Sequence, residues 1–167
     1  MPRRVWSYAI LAGLILLTGC AAPVDIPAGS YAADPACAEV LLASPDELQG
    51  FERRSTSSQA TTAWGSPAAT LRCGVAPPPP TTDRCVNVEV GDTAVDWVSV
   101  AEDEPEAGAS GGAWTFITYG RVPAVEVVVP VALVGDGQAA AYLAELGPAV
   151  SRIPAERACV GAYDVEN

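Results

Sequence analysis

Trp114-Thr115-Phe116-Ile117-Thr118-Tyr119-Gly120-Arg121-Val122-Pro123-Ala124-Val125-Glu126-Val127-Val128-Val129-Pro130 is the stretch that decides the fold class. Residues 114–119 are aromatic or β-branched, and residues 125–129 are four valines around one glutamate. Such side chains suit a pleated, half-buried surface. Gly120 and Pro123 bracket a turn, and Pro130 ends the second strand because it has no N–H for the ladder. Side chains alternate along a strand. Trp114 and Phe116 therefore share one face, and Ile117 and Tyr119 the other. Both faces carry apolar bulk, so one covers a core and the other is covered by a loop or binds something.

Upstream, Val86, Val88 and Val90 alternate with Asn87 and Glu89, which predicts a strand with one wet face. Gly91-Asp92 marks a turn, and residues 95–100 form the returning strand of a hairpin. Residues 51–57 and 69–75 are two further strands. Residues 102–112 form an acidic, glycine-rich loop. Cys37, Val40 and Leu41 follow Asp34-Pro35 at helical spacing, a capped start for a helix that stops near Ser44-Pro45. Residues 46–48 make a short turn. Tyr142, Leu143, Leu146 and Val150 predict a helix within 138–153, interrupted by Pro148. The expected fold is α+β: a mostly antiparallel sheet, with an N-terminal and a C-terminal helix packed on one face. No internal repeat is visible.

The start of the chain speaks of location. Arg3 and Arg4 precede the uncharged residues 5–17, and Leu17-Thr18-Gly19-Cys20 follows the pattern of a bacterial lipobox. The apolar run is too short to span a bilayer and matches signal-peptide anatomy. The expected processing removes residues 1–19 and leaves an acylated Cys20 as a membrane anchor. Residues 20–35, with Pro23, Pro27, Gly29 and Pro35, then read as a flexible tether; fifteen residues of polyproline-like chain reach about 45 Å. Residues 36–167 form a single extracytoplasmic domain.

Composition restricts the partners. The chain carries nine arginines, no lysine, no histidine and 20 acidic residues. Losing Arg3 and Arg4 with the signal leaves a formal charge of −13. Nucleic acid is therefore excluded as a partner, and anionic surfaces repel the domain. Beyond Cys20, four cysteines remain: Cys37, Cys73, Cys85 and Cys159. An even number outside the cytoplasm predicts two disulfides, with three connectivities open. The short loop through Pro77-Pro78-Pro79-Pro80 favours Cys73–Cys85, which leaves Cys37–Cys159 to clasp the ends of the domain. No C-x-x-C spacing points to a metal or redox site.

Trp64-Gly65-Ser66-Pro67, Leu71-Arg72-Cys73-Gly74-Val75, Val95-Asp96-Trp97 and the 114–130 stretch together resemble an actinobacterial family of secreted lipoproteins, described as domain of unknown function 3515. The resemblance runs from about Cys37 to Cys159. Ala68 and Ala69 depart from the bulkier residues the family pattern has after the turn. The family has no established activity, so the resemblance implies a class and a location but no reaction.

The residues themselves carry little catalytic chemistry. Without His or Lys the usual neutral-pH proton carriers are missing. Gly108-Ala109-Ser110-Gly111-Gly112 matches the G-x-S-x-G pattern but precedes a strand instead of making a strand-to-helix elbow. The acidic run Glu102-Asp103-Glu104-Pro105-Glu106 lacks the ligand spacing of a calcium loop. No catalytic residue, metal site or cofactor is expected. The expected function is a lipid-anchored, non-catalytic binding or accessory module of the cell envelope. Its partners are the membrane, through Cys20, and an envelope protein or wall polymer. Arg72, Arg121, Trp64, Trp97 and Trp114 are the candidate binding residues, since Trp stacks on rings and Arg grips anions. The alternative is a glycan-cleaving enzyme using carboxylates among Glu89, Asp96 and Glu126.

Overall fold

The computed structural model describes residues 21–100, 103–106, 109–134 and 138–160. The lipobox at Leu17 to Cys20 lies outside the described residues. Among the described residues the elements run α1 (Pro35–Ala43), β1 (Glu47–Leu48), β2 (Phe51–Arg54), β3 (Thr61–Trp64), β4 (Ala69–Val75), β5 (Cys85–Val90), β6 (Thr93–Ser99), β7 (Ala113–Thr118), β8 (Ala124–Pro130), α2 (Val131–Val134) and α3 (Ala140–Val150). The eight strands form one antiparallel sheet in the order β1-β2-β3-β4-β8-β7-β6-β5. Two four-stranded meanders thus meet at the β4–β8 pair. The α+β expectation, with a mostly antiparallel sheet and helices from both ends, is what the molecule adopts.

Local chemistry explains the elements. The Asp34 carboxylate accepts from the Ala36 N–H at 2.9 Å, capping α1 with Pro35 in its first turn. The β1–β2 hairpin turns at Gln49 and Gly50, both at positive φ (50° and 81°), so residues 46–48 lead into a hairpin where only a turn was expected. The Val90–Thr93 pair closes the expected Gly91-Asp92 turn. The short strand β3 was not foreseen. All four of its residues are buried, so no polar alternation marks it.

The core lies on one face of the sheet. Leu71, Cys73, Val125, Val127, Val129, Trp97 and Phe116 point into it and meet Val40 of α1 and Leu143, Leu146 and Val150 of α3. Burying each of these leucines contributes about 1.5–3 kcal/mol. Arg53, on the same face, donates to Thr62 Oγ1 (2.8 Å) and to the Leu41 carbonyl (3.0 Å), fastening the end of α1 to the sheet.

Two expectations are corrected. The disulfides are Cys37–Cys73 and Cys85–Cys159, with Cα separations of 5.5 and 6.4 Å. Cys73 lies on β4 and Cys85 opens β5. Four strand spacings separate β4 from β5, about 19 Å, whereas a disulfide needs Cα atoms within about 7 Å. Cys73 instead faces Cys37 of α1, and Cys85 meets the C-terminal segment. The second correction concerns residues 21–35, read as a tether. From Val24 onward they lie on the body. Val24 exchanges backbone hydrogen bonds with Ser55 (2.9 Å) and Ser57 (3.0 Å), Ile26 is buried, and Tyr31 donates to the Gly74 carbonyl at 2.8 Å. Val24 and Ile26 supply strand-forming side chains between the prolines, and the end of β2 has an unpaired edge to receive them.

Candidate functional site

The second face of the sheet carries Thr70, Arg72, Glu126, Val128, Ile117, Asp96 and Asn87, by the register of β4, β8, β7, β6 and β5. Near the β5 edge the C-terminal segment crosses this face. Arg121 and Ala155 form a bridge there, the Arg157 guanidinium lies 5.9 Å from the centre of the Tyr119 ring, and Cys159 is tied to Cys85. Between this segment and the proline-rich loop lies a cleft of about 910 Å³, lined in part by Asp83, Cys85, Asn87, Asp96, Tyr119 and Cys159.

Asp96 organises the cleft. One carboxylate oxygen accepts from Asn87 Nδ2 at 2.6 Å, and the other from the Cys159 N–H at 2.8 Å. Its backbone carbonyl accepts from the Tyr119 N–H at 2.8 Å. One residue thus holds β5, the end of β7 and the C-terminal segment in fixed relation. At the rim, Thr81 donates to the Asp83 carboxylate at 2.8 Å. The cleft lining carries two carboxylates, an amide, threonine hydroxyls and the Tyr119 phenol, with the Arg157 guanidinium over the Tyr119 ring. Sequence reasoning named Asp96 as an enzyme candidate but did not single out Asn87 or Tyr119 as a site. The signal available was the alternation that puts Asn87 and Asp96 on the face away from the valines.

The predicted binding residues are not brought together. Trp64 and Trp97 are fully buried in the core, and Trp64 Nε1 donates to the Pro45 carbonyl at 3.0 Å. Trp114 is half-buried on the core face, beside Phe116 and Leu143 in a hollow of about 270 Å³. Arg72 lies on the opposite face, paired with Glu126 at 2.8 Å. Arg121 is buried and donates to the Ile153 and Ala94 carbonyls. Burial pulls its pKa below the ordinary guanidinium value, while Asp96 acts the other way. These side chains build the fold, and the sheet separates Trp114 from Arg72.

The other candidates resolve similarly. Glu126, matched by Arg72, is on β8, two strands away from Asp96 on β6. Glu89 is a diagonal neighbour of Asp96 on the β5–β6 pair but is exposed at the sheet edge. Glu104 accepts from Arg84 at 3.0 Å and from Ser99 Oγ, so it is engaged within the domain. Ser110 is exposed; Glu102 and Gly108 of the two motifs lie outside the described residues. Among the described residues, Cys85, Asp96 and Cys159 place metal-capable atoms within 4.8 Å of one another. Their sulfurs share a disulfide and offer no thiolate to a metal. No helix among the described residues is long and apolar enough to cross a membrane.

The sheet, its two flanking helices and the paired cysteines define a disulfide-stapled α+β domain. The family model described as "Protein of unknown function (DUF3515)" matches residues 7–158, and the chain belongs to that family. No curated protein and no solved structure matches it.

Proposed function

We propose that this chain is a lipid-anchored, extracytoplasmic binding module of the cell envelope, and that the cleft beside Cys85–Cys159 seats an uncharged, hydroxyl-rich segment of a wall polymer. The cleft is the observation that carries the reading. Asp83 and Asp96 keep carboxylate lone pairs beyond those used within the domain and suit the hydroxyl donors of a sugar, Asn87 both donates and accepts, and the Tyr119 phenol lines the same cleft. The Asp83 and Asp96 carboxylates in the lining disfavour anionic polymers, and the nearby Arg157 is engaged over the Tyr119 ring. The lipobox supports the compartment, and the paired cysteines suit an oxidising one.

Binding without turnover is the simpler chemistry for these groups. The chain has no His or Lys to carry protons, and both oxygens of Asp96 already hold structural partners. The test is an NMR titration of the soluble domain with neutral wall-glycan fragments. Saturable shifts should cluster at Asp83, Asn87, Asp96 and Tyr119. Shifts confined to other surfaces would move the site. Release of product, lost in Asp96→Asn, would replace the binding reading with the enzymatic one.

A further inference from the structure

The two edges of the sheet differ in what approaches them. At the β5 edge is the cleft. At the β1–β2 edge is the beginning of the described chain. Ala21 and Ala22 share a shallow hollow with Gly50, Phe51, Arg54 and Gly65. Arg54 bridges the hollow, donating to the Gly65 carbonyl at 2.8 Å and to the Ala22 carbonyl at 3.4 Å. Beyond it Val24 is hydrogen-bonded to Ser55 and Ser57, Ser57 Oγ donates to the Asp25 carboxylate at 2.7 Å, and the Ile26 N–H donates to Ser57 Oγ at 3.0 Å.

From Val24 back to Cys20 is four residues, a span of at most about 14 Å. The Arg54 contact to Ala22 shortens the free length to about 7 Å. A fully free 21–35 segment would have reached about 45 Å. We propose that the acylated Cys20 holds the β1–β2 edge (Gly50 to Ser55, with the turn at Gly65 and Ser66) against the lipid headgroups. The cleft is then displayed on the opposite edge of the sheet. The inference rests on the lipoprotein reading above. Six strand spacings separate β2 from β5, about 29 Å, so the domain acts as a fixed spacer.

The leash, and not charge, makes this contact. The edge carries Glu47 directly opposite Glu52, together with Arg53 and Arg54, and both arginines are engaged within the domain. A short covalent connection confines the edge to the headgroup layer without any attraction of its own. Contact that depends on charge would weaken in salt; contact imposed by chain length does not.

Hydrogen exchange on the lipidated protein in phosphatidylcholine–phosphatidylglycerol vesicles tests this. Compared with the unlipidated domain, residues 50–55 and 65–66 should be protected, residues 83–96 unchanged, and the protection should persist in high salt. Inserting about ten Gly/Ser residues between Ala22 and Pro23 lengthens the leash to a flexible coil and should erase the protection while intact mass still shows the lipid. A lipidated wild type without protection at 50–55, or protection that survives the insertion or vanishes in salt, overturns the inference and leaves anchoring in place. A wild type whose mass carries no acyl chains at Cys20 overturns the anchoring itself, and this inference with it.

Discussion

Arg121 donates from Nη1 to the backbone carbonyl of Ile153, a residue 32 positions further along the chain and buried in the core. Its Nη2 donates to the Ala94 carbonyl at 3.1 Å. One buried cation thereby ties the β7–β8 turn to the start of β6 and to the chain leaving α3. The C-terminal segment that walls the cleft starts from this tie.

Substituting Arg121 by alanine removes two hydrogen bonds from a charged donor and leaves two carbonyls short of partners. Such bonds contribute about 1.5–3 kcal/mol each, so the variant should lose at least about 3 kcal/mol. At a few degrees per kcal/mol for a domain of this size, the thermal midpoint should fall by about 10 °C. Arg121→Lys, with a single ammonium in place of a fork, should recover only part of this. A midpoint within about 2 °C of wild type would show that Arg121 is not the tie described.

Peptide mapping without reduction should yield Cys37 linked to Cys73 and Cys85 linked to Cys159. In the chain-entropy model each bridge is worth about 4 kcal/mol. A Cys73–Cys85 peptide would contradict the strand order itself, since it requires β4 and β5 to approach across four strand spacings.

The β5–β6 hairpin, β7, β8, β4 and both long helices were legible, because valine alternation, Gly91-Asp92 and the Asp34-Pro35 cap act over a few residues. What sequence reading missed depends on distant partners. β3 is buried on both faces and shows no alternation. The disulfide pairing follows from strand order, which a local loop through four prolines does not reveal. Trp64, Trp97 and Arg121 looked like binding residues because stacking and anion-gripping side chains are also good core and clamp side chains. Only burial separates the two uses. The cleft, assembled from β5, β6 and the C-terminal segment, had no contiguous signature.

Tyr142 gives a pH prediction. Burial, and secondarily the negative charge of Glu145, raise its pKa above the ordinary tyrosine value, and its hydroxyl donates to the Leu133 carbonyl at 3.3 Å. Unfolded tyrosine ionises near pH 10. The stability from keeping Tyr142 neutral is therefore fully present below about pH 10 and is lost as pH rises from there toward the folded value. The chain has no lysine to mask the effect. Denaturant midpoints should fall from about pH 9.5 upward in the wild type. Tyr142→Phe should show a shallower fall, after a loss of about 1 kcal/mol at neutral pH. Identical slopes in the two proteins would remove Tyr142 from the alkaline transition.

Gly74 tests whether the segment before α1 belongs to the domain. It sits at φ +89°, at the register shift between Cys73 and Val75, and its carbonyl accepts from the Tyr31 N–H. A Cβ there would lie 2.5 Å from the Ala32 nitrogen and from the Tyr31 carbonyl carbon, both backbone atoms that no rotamer change can clear. Gly74→Ala therefore meets two costs. The positive φ alone is worth about 1–2 kcal/mol for a residue with a side chain, and the clash forces residues 29–32 off the end of β4. The variant should lose at least about 2 kcal/mol, and amides at Tyr31 and Ala32 should exchange much faster while those of β8 stay protected. Gly50→Ala is the control, because its added Cβ meets nothing within 4 Å although φ is again positive, at +81°. It should show the backbone cost alone and leave exchange at residues 31–32 untouched. Equal effects from the two substitutions would mean that residues 29–32 do not press on β4.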